Sequence, residues 1–268
     1  MHFHYLDQYH KTDSHIHALD PRVKVVGTLG FILACTLTPV SAWLAFGVLF
    51  LIWAGITALA RVPHRLLLRR GLVALPFALA ALSLLFTSPG QLLLELPVGP
   101  WQLTISDTGL ARFVTVMLKS WLSVLAALLL TASTPFPEML TGLRGIGVPR
   151  VLVAIIAFMF RYAFILADEA LRLMRAREAR SARPSARIHI DGKVGGSLGW
   201  RARVTGGMVG NLFVRSFERS ERIYNAMLSR GYAGDLRTLQ SPALRPWHLA
   251  AGGSFLMLLG LVELMARW

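Results

Sequence analysis

The chain has 268 residues, 54% of them hydrophobic and 16% charged, with a mean hydropathy of +0.55, a balance that excludes an ordinary soluble globular protein and places the chain in a membrane. A formal net charge of +14 would suit a nucleic-acid binder, but here it accompanies long apolar runs, so the anionic lipids of a membrane face account for it and no nucleic-acid partner is expected. The single cysteine, Cys35, excludes an intramolecular disulfide and a four-cysteine metal site.

The first 22 residues are polar, so no removable signal peptide is read there and the first apolar run is expected to be kept as a span. This stretch holds two His-x-His pairs, His2/His4 and His15/His17. Such pairs can capture a transition metal, but nothing in the segment fixes ligand geometry. They are weak metal candidates, and a solvated tail is the preferred reading.

A spanning helix needs about 20 mostly apolar residues, and five segments come near that: roughly 23–39, 40–60, 71–88, 109–133 and 247–265. The loop after the second holds Arg61, Arg65, Arg69 and Arg70, whereas residues 88–109 hold no Lys or Arg. The positive-inside rule then puts the first loop in the cytoplasm and the second outside. A cytoplasmic N-terminus and a return to the cytoplasm near Thr134 follow. In the fourth span, Lys119 is expected to pair with an acid inside the bundle.

A sixth apolar run, 151–167, would place residues 172–237 outside if it crossed the membrane, although that region has 14 Lys and Arg. It is therefore read as the start of one long helix that opens at Pro149, runs through "ADEALRLMRAREAR" and closes at Pro184. A second long helix is expected from about Leu198 to Arg230, with an apolar face of Val209, Phe213, Phe217, Tyr224, Met227 and Leu228. A glycine-rich link, "DGKVGGSLG", joins the two. The fold class is thus an all-α integral membrane protein of about five transmembrane helices. Residues 1–134 form the tail and four spans, 135–245 the cytoplasmic helices and 246–268 the last span.

Each long helix carries an arginine between small residues near its end: Ala179-Arg180-Ser181 and Ser229-Arg230-Gly231. Ala176-Arg177-Glu178, one turn earlier, makes Arg177 an alternative register for the first. A backbone lined with small residues can approach a partner closely, and a guanidinium fork can hold a carboxylate in bidentate geometry. A lipid-surface helix would gain as much from lysine, yet residues 172–237 contain one lysine, Lys193. Docking to an acidic protein groove is the reading favoured over a pair of helices lying on lipid.

These paired motifs resemble the Ala-Arg-Gly-like ends of two coupling helices in the transmembrane T component of energy-coupling factor (ECF) transporters. Ser181 replaces the family's usual Gly and Ser229 its usual Ala, and both remain small. Three stretches are similar to the cobalt-type branch, CbiQ: "HALDPRVK" from His17 to Lys24, "PFPEMLTGLRGIGVPR" from Pro135 to Arg150, and "RSFERSERIYNAMLSRGY" from Arg215 to Tyr232. The resemblance implies a subunit of a cell-membrane importer in which two ATP-binding cassette ATPases dock on the arginine motifs. A separate membrane S component captures the substrate, with a small accessory membrane subunit as a further partner. ATP and Mg belong to the ATPases. This chain has no G-x-x-x-x-G-K-[ST] loop and no convergent catalytic groups in its spans, so it is expected to be non-catalytic and without a cofactor of its own. Cobalt is the substrate implied first, nickel next. A vitamin-type T component and a self-contained channel or carrier are the alternatives.

Overall fold

The structure is a computed structural model, and it describes residues 12, 14–87, 89, 92–98, 101–181, 198–234 and 245–268. Among them are nine α-helices and one two-stranded hairpin. The chain divides into two compact units, one of residues 1–147 and 240–268 and one of residues 148–239.

In the first unit, α1 (Pro21–Leu37) begins at a proline, and the Asp20 carboxylate caps it by accepting from the Arg22 N–H at 2.8 Å. Helix α2 (Trp43–Leu59) follows after a short turn. The basic loop of the sequence reading folds as the short helix α3 (His64–Gly71), which a 3-10 turn connects to α4 (Leu75–Thr87). The stretch expected as an external loop contains an antiparallel hairpin, β1 (Leu92–Val98) and β2 (Trp101–Ser106), with Val98 opposite Trp101. The Ser106 hydroxyl then caps α5 (Asp107–Ser133) by accepting from Gly109 N–H at 3.0 Å. Helix α6 (Phe136–Ile146) and the final helix α9 (Pro246–Arg267) complete the unit.

The core of this unit joins Phe31 and Cys35 of α1, Leu49 and Trp53 of α2, Leu67 of α3, Leu122 and Leu125 of α5, and Leu259 of α9. Glycines let α1 and α9 approach closely, as in membrane helix pairs. A Cβ on Gly252 would lie 2.8 Å from Val23 Cγ1, and one on Gly30 would lie 2.6 Å from Leu256 Cδ2. The outside of the bundle is apolar as well, with Leu44 at 89% exposed and Leu29, Leu33 and Met257 also exposed. Large apolar side chains displayed on helices in this way are matched to lipid rather than water.

By length and composition, α5, α7 (Arg150–Ser181) and α9 can cross a membrane. The α3–α4 pair, bent by 62°, adds a fourth candidate if it is one span. Helices α1 and α2 have 17 residues each, at the short end of the spanning range. The sequence reading kept α7 out of the membrane on charge placement rather than length.

The second unit pairs α7 with α8 (Leu198–Leu228). Each is one unbroken helix; Pro184 and residues 191–197 of the expected link lie outside the described residues, and the link's last two residues, Leu198 and Gly199, open α8. Apart from Met227, the apolar stripe read from the sequence is not the face that meets α7. Val209, Phe213, Phe217, Tyr224 and Leu228 are all exposed, and α8 instead turns Ser216, Arg219, Ser220, Ile223 and Met227 toward Phe158, Tyr162, Ile165 and Leu166 of α7. Glu169 of α7 pairs with Arg219 and Arg215 of α8 across this face.

Candidate functional site

The first arginine motif closes α7. Ala179 and Arg180 are exposed in its last turn, and Ser181 is its final helical residue. A cation at a helix C-terminus is favoured by the dipole and by the unpaired carbonyls there. Arg177, one turn back, is half-buried, with its guanidinium 6.0 Å from the Trp200 ring centroid of α8, within cation–π range. The two registers thus differ in surroundings: Arg177 is engaged between the helices, whereas Arg180 points out from the end.

The second motif is a helix cap. Gly231 takes a left-handed conformation at φ +77°, which costs glycine nothing and other residues about 1 kcal/mol. That reversal lets Gly231 N–H donate to Leu228 O (2.9 Å) and Tyr232 N–H donate to Met227 O (3.0 Å), the paired bonds of a Schellman cap. Ser229 turns its hydroxyl back onto Asn225 O at 2.7 Å. Arg230 is therefore an exposed guanidinium on a backbone whose neighbours are small and satisfied. Ser-Arg-Gly at this position has a local folding reason for its glycine and leaves the arginine free of one.

The tail histidines are not brought together. His2 and His4 lie outside the described residues. His15 is exposed, and His17 is half-buried, with Nδ1 2.7 Å from Ser14 Oγ and Nε2 3.3 Å from Thr12 Oγ1. No group of three His, Cys, Asp or Glu side chains that could hold a metal occurs among the described residues. Lys119 does not take the expected acidic partner in the bonds described: its ammonium donates to Thr36 O at 2.8 Å. It satisfies a last-turn carbonyl of α1, a role open to any long donor.

A buried polar node at the start of the bundle escaped the sequence reading. Asp20 is 3% exposed and His248 6%, and the Asp20 N–H donates to His248 Nδ1 at 3.2 Å, tying the first turns of α1 and α9. Lys24 is buried and donates to His17 O (2.9 Å) and to Ser133 O at the end of α5 (3.4 Å). The available signal was a lysine one turn into an apolar helix, where a charge is costly and needs partners. Here the partners are backbone carbonyls.

A profile of the cobalt transport protein family CbiQ matches residues 12–241. An uncharacterized protein of Methanocaldococcus jannaschii is 25% identical, over 87% of this chain and 76% of its own length. The cobalt transport protein CbiQ of Rhodobacter capsulatus is 28% identical over 63% of this chain and 65% of its own. The energy-coupling factor transporter transmembrane protein EcfT of Listeria innocua is 27% identical over 91% and 90%. A match that runs from residue 12 through α1 to α8 leaves one conclusion: the chain belongs to the CbiQ family, a transmembrane T component of the energy-coupling factor transporters, in their cobalt and nickel branch.

Proposed function

We infer that the chain couples ATP hydrolysis in two partner ATPase subunits to substrate release by a separate membrane S component, in an importer of the cytoplasmic membrane. The substrate is a divalent transition metal, cobalt before nickel. The observation that carries this reading is the pair of exposed arginines at the ends of α7 and α8, Arg180 in a last turn and Arg230 on a Schellman cap. Each helix end enters a groove of one ATPase, and the guanidinium takes an acidic group there. Closure of the ATPases then shifts the two helices as rigid bodies. Charge placement supports a cytoplasmic α7 and α8, because 14 basic residues in 172–237 would otherwise be translocated.

The test is co-purification of the ATPases with wild type and with the Arg180→Ala, Arg230→Ala and double variants, alongside cobalt and nickel uptake. One change weakens coupling while the second helix still holds the complex. Both changes release the ATPases or uncouple hydrolysis from uptake, because truncating one partner of a buried charge pair costs about 2–5 kcal/mol. A double variant with both ATPases and full uptake retained would overturn the reading. A T component serving vitamin uptake is the second reading, and the metal-uptake arm separates the two.

A further inference from the structure

Helices α1, α2, α5 and α9 line a partly open cavity of about 230 Å³, more than the ~150 Å³ of apolar voids that accept hydrocarbon guests. Its wall is largely hydrocarbon, including Leu19, Phe31, Ile56, Leu129 and Phe255. Two residues of that wall carry strong hydrogen-bond donors. Lys24, 8% exposed, has three N–H groups and gives bonds to His17 O and Ser133 O, which leaves donor capacity over. Trp53 is 2% exposed, and among the described residues its buried indole Nε1–H has no acceptor. A buried donor left unpaired is costly, and it marks a place where an acceptor is missing.

The cavity lies at one end of the bundle. The Asp20–His248 bond joins the beginnings of α1 and α9, the Lys24–Ser133 bond brings in the end of α5, and Thr12 Oγ1 donates to Ala60 O just past α2 at 3.2 Å. The same end carries Arg22, Arg61, Arg65, Arg69, Arg70 and Arg144. Asp20 and Glu138 offset part of the Lys24 charge, and the arginines keep the surroundings cationic. A hydrocarbon-lined space with unused donors at a basic end of membrane helices matches a molecule with an apolar tail, oxygen acceptors and a negative head. A free anion would leave the apolar wall uncovered, and a metal cation would meet donors instead of ligands.

We propose that this cavity is a binding site for one anionic phospholipid. An acyl chain fills the space between α1, α2, α5 and α9, Lys24 bonds headgroup oxygen, and the Trp53 N–H bonds an ester carbonyl.

The test is native mass spectrometry of the full-length chain with added phosphatidylglycerol or phosphatidylcholine, with melting temperatures recorded for each variant. Wild type retains one phosphatidylglycerol in preference to phosphatidylcholine. Trp53→Phe, which keeps an aromatic ring, though a smaller one, and removes the indole N–H, lowers retention about fivefold, the weight of one hydrogen bond. Ala126→Leu fills the cavity and abolishes retention. Lys24→Gln keeps a donor but drops the charge, and it removes the headgroup preference. Equal retention of both lipids by wild type, or undiminished retention by folded Trp53→Phe and Ala126→Leu, overturns the proposal, as does retention of free fatty acid in place of phospholipid.

Discussion

Glu169 of α7 lies between two arginines of α8, with Oε2 3.1 Å from Arg219 Nη1 and Oε1 3.7 Å from Arg215 Nη1. The carboxylate is 14% exposed, while the arginines remain 37% and 54% exposed, so solvent screens part of the attraction. Glu169→Gln should lower the stability of the α7–α8 pair by about 1 kcal/mol or less. Hydrogen exchange across both helices, at low and high salt, measures this. Equal exchange in variant and wild type would show that the apolar contacts around Tyr162 and Ile223 suffice.

Gly231→Ala should fray the end of α8, since a Cβ at φ +77° costs about 1 kcal/mol. Gly231→Asn should cost less, because asparagine tolerates this conformation. The readout is exchange of the Gly231 and Tyr232 amides, which now bond to Leu228 and Met227. If the docking proposal holds, ATPase binding falls in the same order, alanine below asparagine below glycine.

Gly142 and Gly145, one turn apart on α6, predict opposite sensitivities. A Cβ on Gly142 would sit 3.1 Å from the backbone carbon and oxygen of Pro21, which cannot yield without moving α1. A Cβ on Gly145 would displace the Arg22 guanidinium, the far end of a flexible side chain. Gly142→Ala should therefore destabilise the first unit by about 1–3 kcal/mol and Gly145→Ala by less than about 0.5 kcal/mol. Thermal unfolding in detergent compares them directly.

Topology is testable at Ala202, an exposed position on α8. In a Cys35→Ala background, Ala202→Cys should resist a membrane-impermeant thiol reagent in intact cells and react after permeabilisation. Labelling from outside would mean that α7 crosses the membrane, as its length and composition permit.

Deleting residues 2–10 should leave subunit assembly intact, because the proposed docking residues are elsewhere. If uptake by the truncated chain falls severalfold only at limiting metal, the histidine tail has a capture role after all.

Long helices were legible because their signals are redundant. For α5 and α9, sustained apolar runs and polar flanks agree on the same ends to within two residues, and for α7 no turn signal interrupts the 32 residues that follow Pro149. Helix α6 was passed over although its punctuation is present: Pro137 in the first turn, Glu138 beside it and Gly147 at φ +109° after the end. Its 11 residues offer too few apolar repeats to stand out from a loop. The apolar stripe of α8 was legible from its spacing, but the face that meets α7, with Ser216 and Arg219, was not, because its ion pair lies with another helix and no single-helix pattern contains it. The Lys24 and Asp20 node was hidden for a similar reason, since its partners are carbonyls and a histidine 228 positions away in the chain.

Helix α8 has 31 residues and no proline, a length of about 46 Å at 1.5 Å per residue. The Schellman cap means that Arg230 is seated on the helix end instead of trailing from a loose loop, so a force applied to its guanidinium is delivered to the rod. The rod is not uniform. Gly206, Gly207 and Gly210 cluster in its first half, where each weakens the helix by roughly 1 kcal/mol relative to alanine, while Asn211 to Leu228 contains no glycine. The glycine-free stretch is a stiff arm of about 27 Å, and the glycines mark where α8 yields most easily if it is bent.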